Sequence, residues 1–172
     1  FYSQTDTEVA VKLVDYYYKK TGTPLEAISR AMLRIRGSYA LGILFKDQPG
    51  KIYAVRKDSP LIIGRSENGN FIASDVPAIL KYTKNVCYIS DMEIAELTKD
   101  SITFYDVDQE VLEKEFQTVE WDAKSAEKGG FEHFMLKEIY EQPKAVADTI
   151  HPRIKDGRIV IEELGLSDED IR

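Results

Sequence analysis

The sequence predicts an α+β fold with mostly antiparallel strand pairing, followed by a separate helical segment. Up to about Ile35, apolar residues recur at helical spacing. From Ser38 the pattern changes to short β-branched and aromatic runs broken by turn residues, which is how a sheet reads. Beyond Gly129-Gly130 the helical period returns, and the glycine pair marks a boundary between two bodies.

Thr5-Asp6-Thr7-Glu8 has the form of a capping box, with Glu8 reaching back to the N–H of Thr5. It starts a first helix that runs to about Lys20 and ends at Gly22. Thr23-Pro24-Leu25-Glu26 repeats the pattern with proline at the first helical position. Leu25, Ile28, Ala31, Met32 and Ile35 give this second helix its apolar stripe. Tyr39 to Phe45 is a nearly continuous apolar run and reads as a strand buried on both faces. Lys51 to Arg56 folds back on it across Asp47-Gln48-Pro49-Gly50. Leu61–Gly64 and Asn70–Ala73 pair around Glu67-Asn68-Gly69. Ser74-Asp75 can cap a short helix from Val76 to Tyr82. Further strands are predicted at Val86–Ser90, Glu93–Thr98, Ser101–Tyr105 and Glu115–Glu120. Phe134, Met135, Leu136, Ile139 and Tyr140, continued by Val146 and Ile150, form the apolar stripe of the last helix.

Composition bounds the function. A chain of 172 residues with 43% hydrophobic and 31% charged residues suits a globular core. No apolar run is long enough to cross a bilayer, so no membrane span is expected. The net charge of −7 argues against nucleic acid or an acidic membrane surface as partner. The lone cysteine, Cys87, has no internal disulfide partner, which suits a cytoplasmic location. Phe1 in place of an initiator methionine, and the abrupt end at Arg172, read as a fragment of a longer chain.

The most specific stretch is His133-Phe134-Met135-Leu136-Lys137-Glu138-Ile139-Tyr140-Glu141-Gln142-Pro143. It resembles the H-[YF]-M-x-K-E-I-x-E-Q-P signature of the glutamine–fructose-6-phosphate aminotransferase family, also called glucosamine-6-phosphate synthases. Ser3-Gln4-Thr5-Asp6-Thr7-Glu8-Val9 is similar to that family's S-E-T-D-T-E-V. Arg36-Gly37-Ser38-Tyr39-Ala40, Asn70 to Asp75 and Glu93 to Leu97 resemble three further runs of it. The turn from Gly64 to Gly69 departs from the family's glycine-richer form. The resemblance implies part of an αββα four-layer N-terminal-nucleophile glutaminase (class II amidotransferase) sandwich, followed by the first helix of a phosphosugar isomerase domain. It places the later part of the glutaminase domain at residues 1–130, and a linker with the start of the isomerase domain at residues 131–172.

The same resemblance implies an enzyme that takes L-glutamine and fructose 6-phosphate to glucosamine 6-phosphate and glutamate, as a homodimer and without a cofactor. Its nucleophile is an N-terminal cysteine whose own amine is the base. No residue of this chain matches it, so no catalytic residue is assigned and the chain alone is expected to be inactive. Asp6 matches the family aspartate that binds the α-amino group of glutamine. A carboxylate at a helix start stays ionised and can pair with an ammonium; the residues alone favour a plain first-turn acid, and the resemblance reverses that.

Other candidates read as structural. Cys87 between Val86 and Tyr88 looks like a buried, inert thiol. His133 and His151 lack ligand spacing, so no metal site is expected. Asp106 and Asp108, and Asp168-Glu169-Asp170, read as solvated acids without a calcium-loop pattern. Two other functions fit the fold class: another class II amidotransferase such as amidophosphoribosyltransferase, against which the run from Lys137 to Pro143 argues, and a non-enzymatic binding module.

Overall fold

The structure, a computed structural model, describes residues 1–120, 128–161 and 165. The chain divides into two units, Phe1–Ala123 and Lys124–Arg172.

The first unit opens with helices α1 (Asp6–Thr21) and α2 (Pro24–Met32). α1 stops at Gly22, whose backbone N–H donates to the carbonyl of Tyr18 at 2.8 Å. Strands β1 (Tyr39–Ile43), β2 (Ile52–Lys57), β3 (Ile62–Ser66), β4 (Gly69–Ala73), β5 (Asn85–Tyr88), β6 (Ile94–Leu97), β7 (Ile102–Tyr105), β8 (Val111–Leu112) and β9 (Gln117–Thr118) follow. They form two antiparallel sheets, ordered β1-β2-β6-β7-β8 and β4-β3-β5-β9. The α+β class expected from the periodicity is the class observed.

Side-chain alternation explains the layering. On β2, Tyr53 and Val55 point toward the helices and pack with Ala27, Ile28, Ala31 and Met32 of α2 and Val14 of α1. Ala54, between them, faces the other way and joins Ala95, Leu97 and Phe104 of the same sheet. Those residues meet Leu61, Ile63, Cys87 and Ile89, so the two sheets pack face to face. The central strands therefore carry two cores, one shared with the helices and one shared with the second sheet.

Four expectations are corrected. β1 is not buried on both faces: Tyr39 is buried and Leu41 and Ile43 half-buried, but Ala40, Gly42 and Leu44 are exposed, Leu44 at 72%. The reason is position. β1 lies at the edge of its sheet, and apolar content reports a tendency to be buried, not the presence of a covering layer. Residues 76–83 form consecutive turns and no helix, mixing Ile79 N–H to Val76 O with Leu80 N–H to Val76 O. So short a segment rarely sustains a helix. Glu8 does not close a capping box with Thr5, and neither Thr5 nor Thr23 caps its helix with a side chain. The strand expected at Glu115–Glu120 shrinks to Gln117–Thr118.

The turns at 76–83 still bury Val76, Ile79 and Leu80. They lie against the second sheet at Gly64, where a Cβ would sit 2.7 Å from Ile79 Cδ1 and 2.8 Å from Thr83 Cγ2. Gly64→Ala is accordingly expected to destabilise the first unit by about 1–3 kcal/mol through overpacking. Urea unfolding checks this, and an unchanged midpoint would show that the turns yield without cost.

The second unit contains α3 (Phe134–Ile150), a 3-10 turn (His151–Arg153), and a small hairpin of β10 (Ile154–Lys155) and β11 (Arg158–Ile159). α3 continues through Pro143, and none of its residues is buried. Asp156 and Gly157 take φ of 51° and 75° at the hairpin tip, as a type I′ turn requires.

Candidate functional site

Asp6 is the first residue of α1 and is exposed, and its carboxylate has no hydrogen bond or ion pair among the described residues. The chain before it is tied down by Glu8. The Glu8 carboxylate accepts from Tyr2 N–H at 2.8 and 2.9 Å, from Ser3 N–H at 2.6 Å and from Ser3 Oγ at 2.7 Å. Ser3 Oγ in turn lies 3.0 Å from Thr5 Oγ1. Lys12 Nζ approaches Glu8 at 3.4 Å. The Ser3 hydroxyl first, then the Tyr2 and Ser3 amides and Lys12, hold the Glu8 carboxyl down at about 2 against partial desolvation. Glu8 is thus ionised at neutral pH with its lone pairs occupied, whereas Asp6 is open to a ligand.

Beside this helix start, a groove of about 720 Å³ runs between α1 and the edge of β1. Val11, Val14 and Tyr18 line one wall and Leu41, Ile43 and Phe45 the other. Tyr18 closes one end by donating to Asp47 at 2.8 Å, and that bond, reinforced by desolvation, raises the phenol above its ordinary range. β1 pairs only with β2 among the described residues, so its outer edge is open.

Cys87 is 1% exposed in the core between the sheets, and burial pushes its thiol up. It lies in a different part of the fold from Asp6, among Ile63, Ile89 and Phe104. The isolated chain is expected to release no glutamate from glutamine, and Cys87 to resist alkylation until the protein unfolds. Turnover abolished by Cys87→Ala would contradict both statements.

The remaining candidates do not converge. Asp106 Oδ1 accepts from the N–H groups of Asp108 and Glu110 at 2.9 Å each and so closes the turn between β7 and β8. The His133 side chain stands exposed before α3, with its Nε2 3.7 Å from Glu132 Oε1. His151 sits in the 3-10 turn. Among the described residues no group of three His, Cys, Asp or Glu side chains could hold a metal ion. Asp168-Glu169-Asp170 lies outside the described residues. No described helix is long and apolar enough to cross a membrane. The part of Glu8 escaped the sequence reading because a helix-start Thr-x-x-Glu pattern points to Thr5 as its partner, and nothing in that spacing shows the chain folding back.

No family model matches the chain. Proteins named glutamine–fructose-6-phosphate aminotransferase [isomerizing] do match it along nearly its whole length. That of Clostridium acetobutylicum is 54% identical over 99% of this chain, and that of Caldanaerobacter subterraneus 51% over the same share. That of the archaeon Thermococcus kodakarensis is 46% identical over 99%. The chain spans only 28%, 28% and 29% of these relatives respectively. From end to end, therefore, the chain is homologous to one segment of the isomerizing glutamine–fructose-6-phosphate aminotransferases.

Proposed function

We propose that this chain is the segment joining the two halves of an enzyme that moves the amide nitrogen of L-glutamine onto fructose 6-phosphate. The similarity to the aminotransferases carries the reading: identity of 46–54% spread over 99% of the chain, not confined to one motif. Glutamine and water give glutamate and ammonia. Ammonia and fructose 6-phosphate then give glucosamine 6-phosphate and water, which feeds amino-sugar synthesis. Residues 1–130 form the later part of the glutaminase domain, and residues 131–172 are the linker and the start of the isomerase domain.

In this reading the two facing sheets are the inner layers of an αββα sandwich. α1 and α2 are one outer layer, and the turns at 76–83 lie on the opposite face. The remainder of the glutaminase half adds strands along the open edge of β1. The thiol nucleophile comes from that part of the enzyme and not from Cys87. Asp6 holds the α-ammonium of glutamine by a charge-assisted hydrogen bond, and it supplies orientation, not proton transfer. No cofactor or metal takes part. The enzyme works as a homodimer in the cytoplasm.

Amidophosphoribosyltransferase is disfavoured because the relatives above carry the other name. A binding module without activity would leave the open Asp6 without a use. The test is acceptor dependence in the full-length protein. Glutamate release from glutamine should be accelerated by fructose 6-phosphate and unaffected by phosphoribosyl diphosphate. The reverse dependence would exchange the two readings, and no release with either would favour the module.

A further inference from the structure

The Glu8 side chain binds the chain that precedes its own helix. Its carboxylate takes the N–H groups of Tyr2 and Ser3 and the hydroxyl of Ser3, closing a loop over residues 2–8. Lys12 adds a second layer, 3.4 Å from Glu8 and 5.5 and 4.9 Å from the ring centroids of Phe1 and Tyr2. Thr5, the residue before α1, makes no side-chain cap, so the path of the chain into the helix is set by this clasp. Asp6 lies inside the loop and takes no part in its bonds.

We propose that Glu8 is a positioning residue: by clasping Tyr2 and Ser3 it fixes the strap that presents the Asp6 carboxylate to the α-ammonium group of glutamine. The proposal rests on the reading of Asp6 given above. Two carboxylates in one helical turn would ordinarily compete for an incoming cation. Here Glu8 already has its donors, so the incoming ammonium meets Asp6 alone. An amide at position 8 keeps one acceptor oxygen but turns an N–H₂ group against the amides of Tyr2 and Ser3. The strap then loosens while the helix remains.

The experiment uses the full-length enzyme and compares glutamine with 4-carbamoylbutanoate, which is glutamine without its α-amino group. Glu8→Gln is expected to raise the KM for glutamine by about tenfold, less than the roughly 100-fold that a 1 Å misplacement can cost, with kcat little changed. Its inhibition constant for 4-carbamoylbutanoate should stay as in the parent, and Glu8→Asp should recover part of the glutamine affinity. An unchanged KM, or an equal loss for both compounds, overturns the proposal, because a general structural defect does not distinguish an ammonium from a hydrogen. Asp6→Asn separates the two levels. If it too leaves the preference for glutamine over 4-carbamoylbutanoate intact, the reading of Asp6 falls and the role of Glu8 falls with it. If Asp6→Asn removes that preference and Glu8→Gln does not, only the role of Glu8 is lost.

Discussion

Asp6→Asn in the full-length enzyme is expected to raise the KM for glutamine by roughly 10- to 100-fold and to lower kcat much less. A hydrogen bond to a charged partner contributes about 1.5–3 kcal/mol, which corresponds to that range. The substitution keeps the size of the side chain, removes its charge, and turns an N–H₂ group toward an ammonium that also donates. Binding lost equally from ground and transition states appears in KM, not in kcat. α1 itself should be little affected, because the Asp6 carboxylate has no partner among the described residues and only the modest favourable effect of an acid in the first turn is lost. Steady-state glutamine hydrolysis checks this. A KM within twofold of the parent would remove Asp6 from the site and leave it a plain helix-start acid.

Ile28→Ala is expected to cost the first unit about 2–5 kcal/mol. Ile28 is 0% exposed and lies on α2 in the core shared with Val14, Tyr53, Val55 and Ile94. Truncation leaves a cavity between both helices and the centre of the sheet, where two layers would have to move together to fill it. Leu44→Ala, also on an apolar run but 72% exposed in this chain, should change stability by less than about 0.5 kcal/mol. Urea unfolding of the two variants measures the contrast. Equal losses would mean that the face of Leu44 is covered in solution.

That contrast shows where the sequence was legible. Periodicity placed α1, α2 and the hairpin strands because side-chain spacing follows local geometry. It could not place β1 at a sheet edge. Tyr39 to Phe45 reads the same whether a layer covers it or not, and the cover depends on neighbours that no local pattern names. Residues 76–83 erred in the same way: Pro77 after Asp75 looks like a helix start, but the buried Ile79 and Leu80 are held in turns against Gly64. The hairpin at Ile154–Ile159 carries a local signal that helical periodicity does not register. Asp156-Gly157 between alternating apolar residues is a strong short-range hairpin signal.

The candidate site divides similarly. Asp6 came from a resemblance to a family run, since an exposed acid in a first turn announces nothing by itself. Cys87 was readable as inert from its apolar strand context, and the structure places it in the core between the sheets. Glu8 could not be read, because its bonds run backward to Tyr2 and Ser3 through a loop whose conformation only three dimensions show.

The most direct measurement follows nitrogen from glutamine labelled with ¹⁵N in its side-chain amide. Incubated with the full-length enzyme and fructose 6-phosphate, the label should appear in the amino group of glucosamine 6-phosphate, in step with glutamate release. Label found only in free ammonium, or on a phosphoribosyl acceptor, would contradict the assignment of this segment to an aminotransferase that builds the amino sugar.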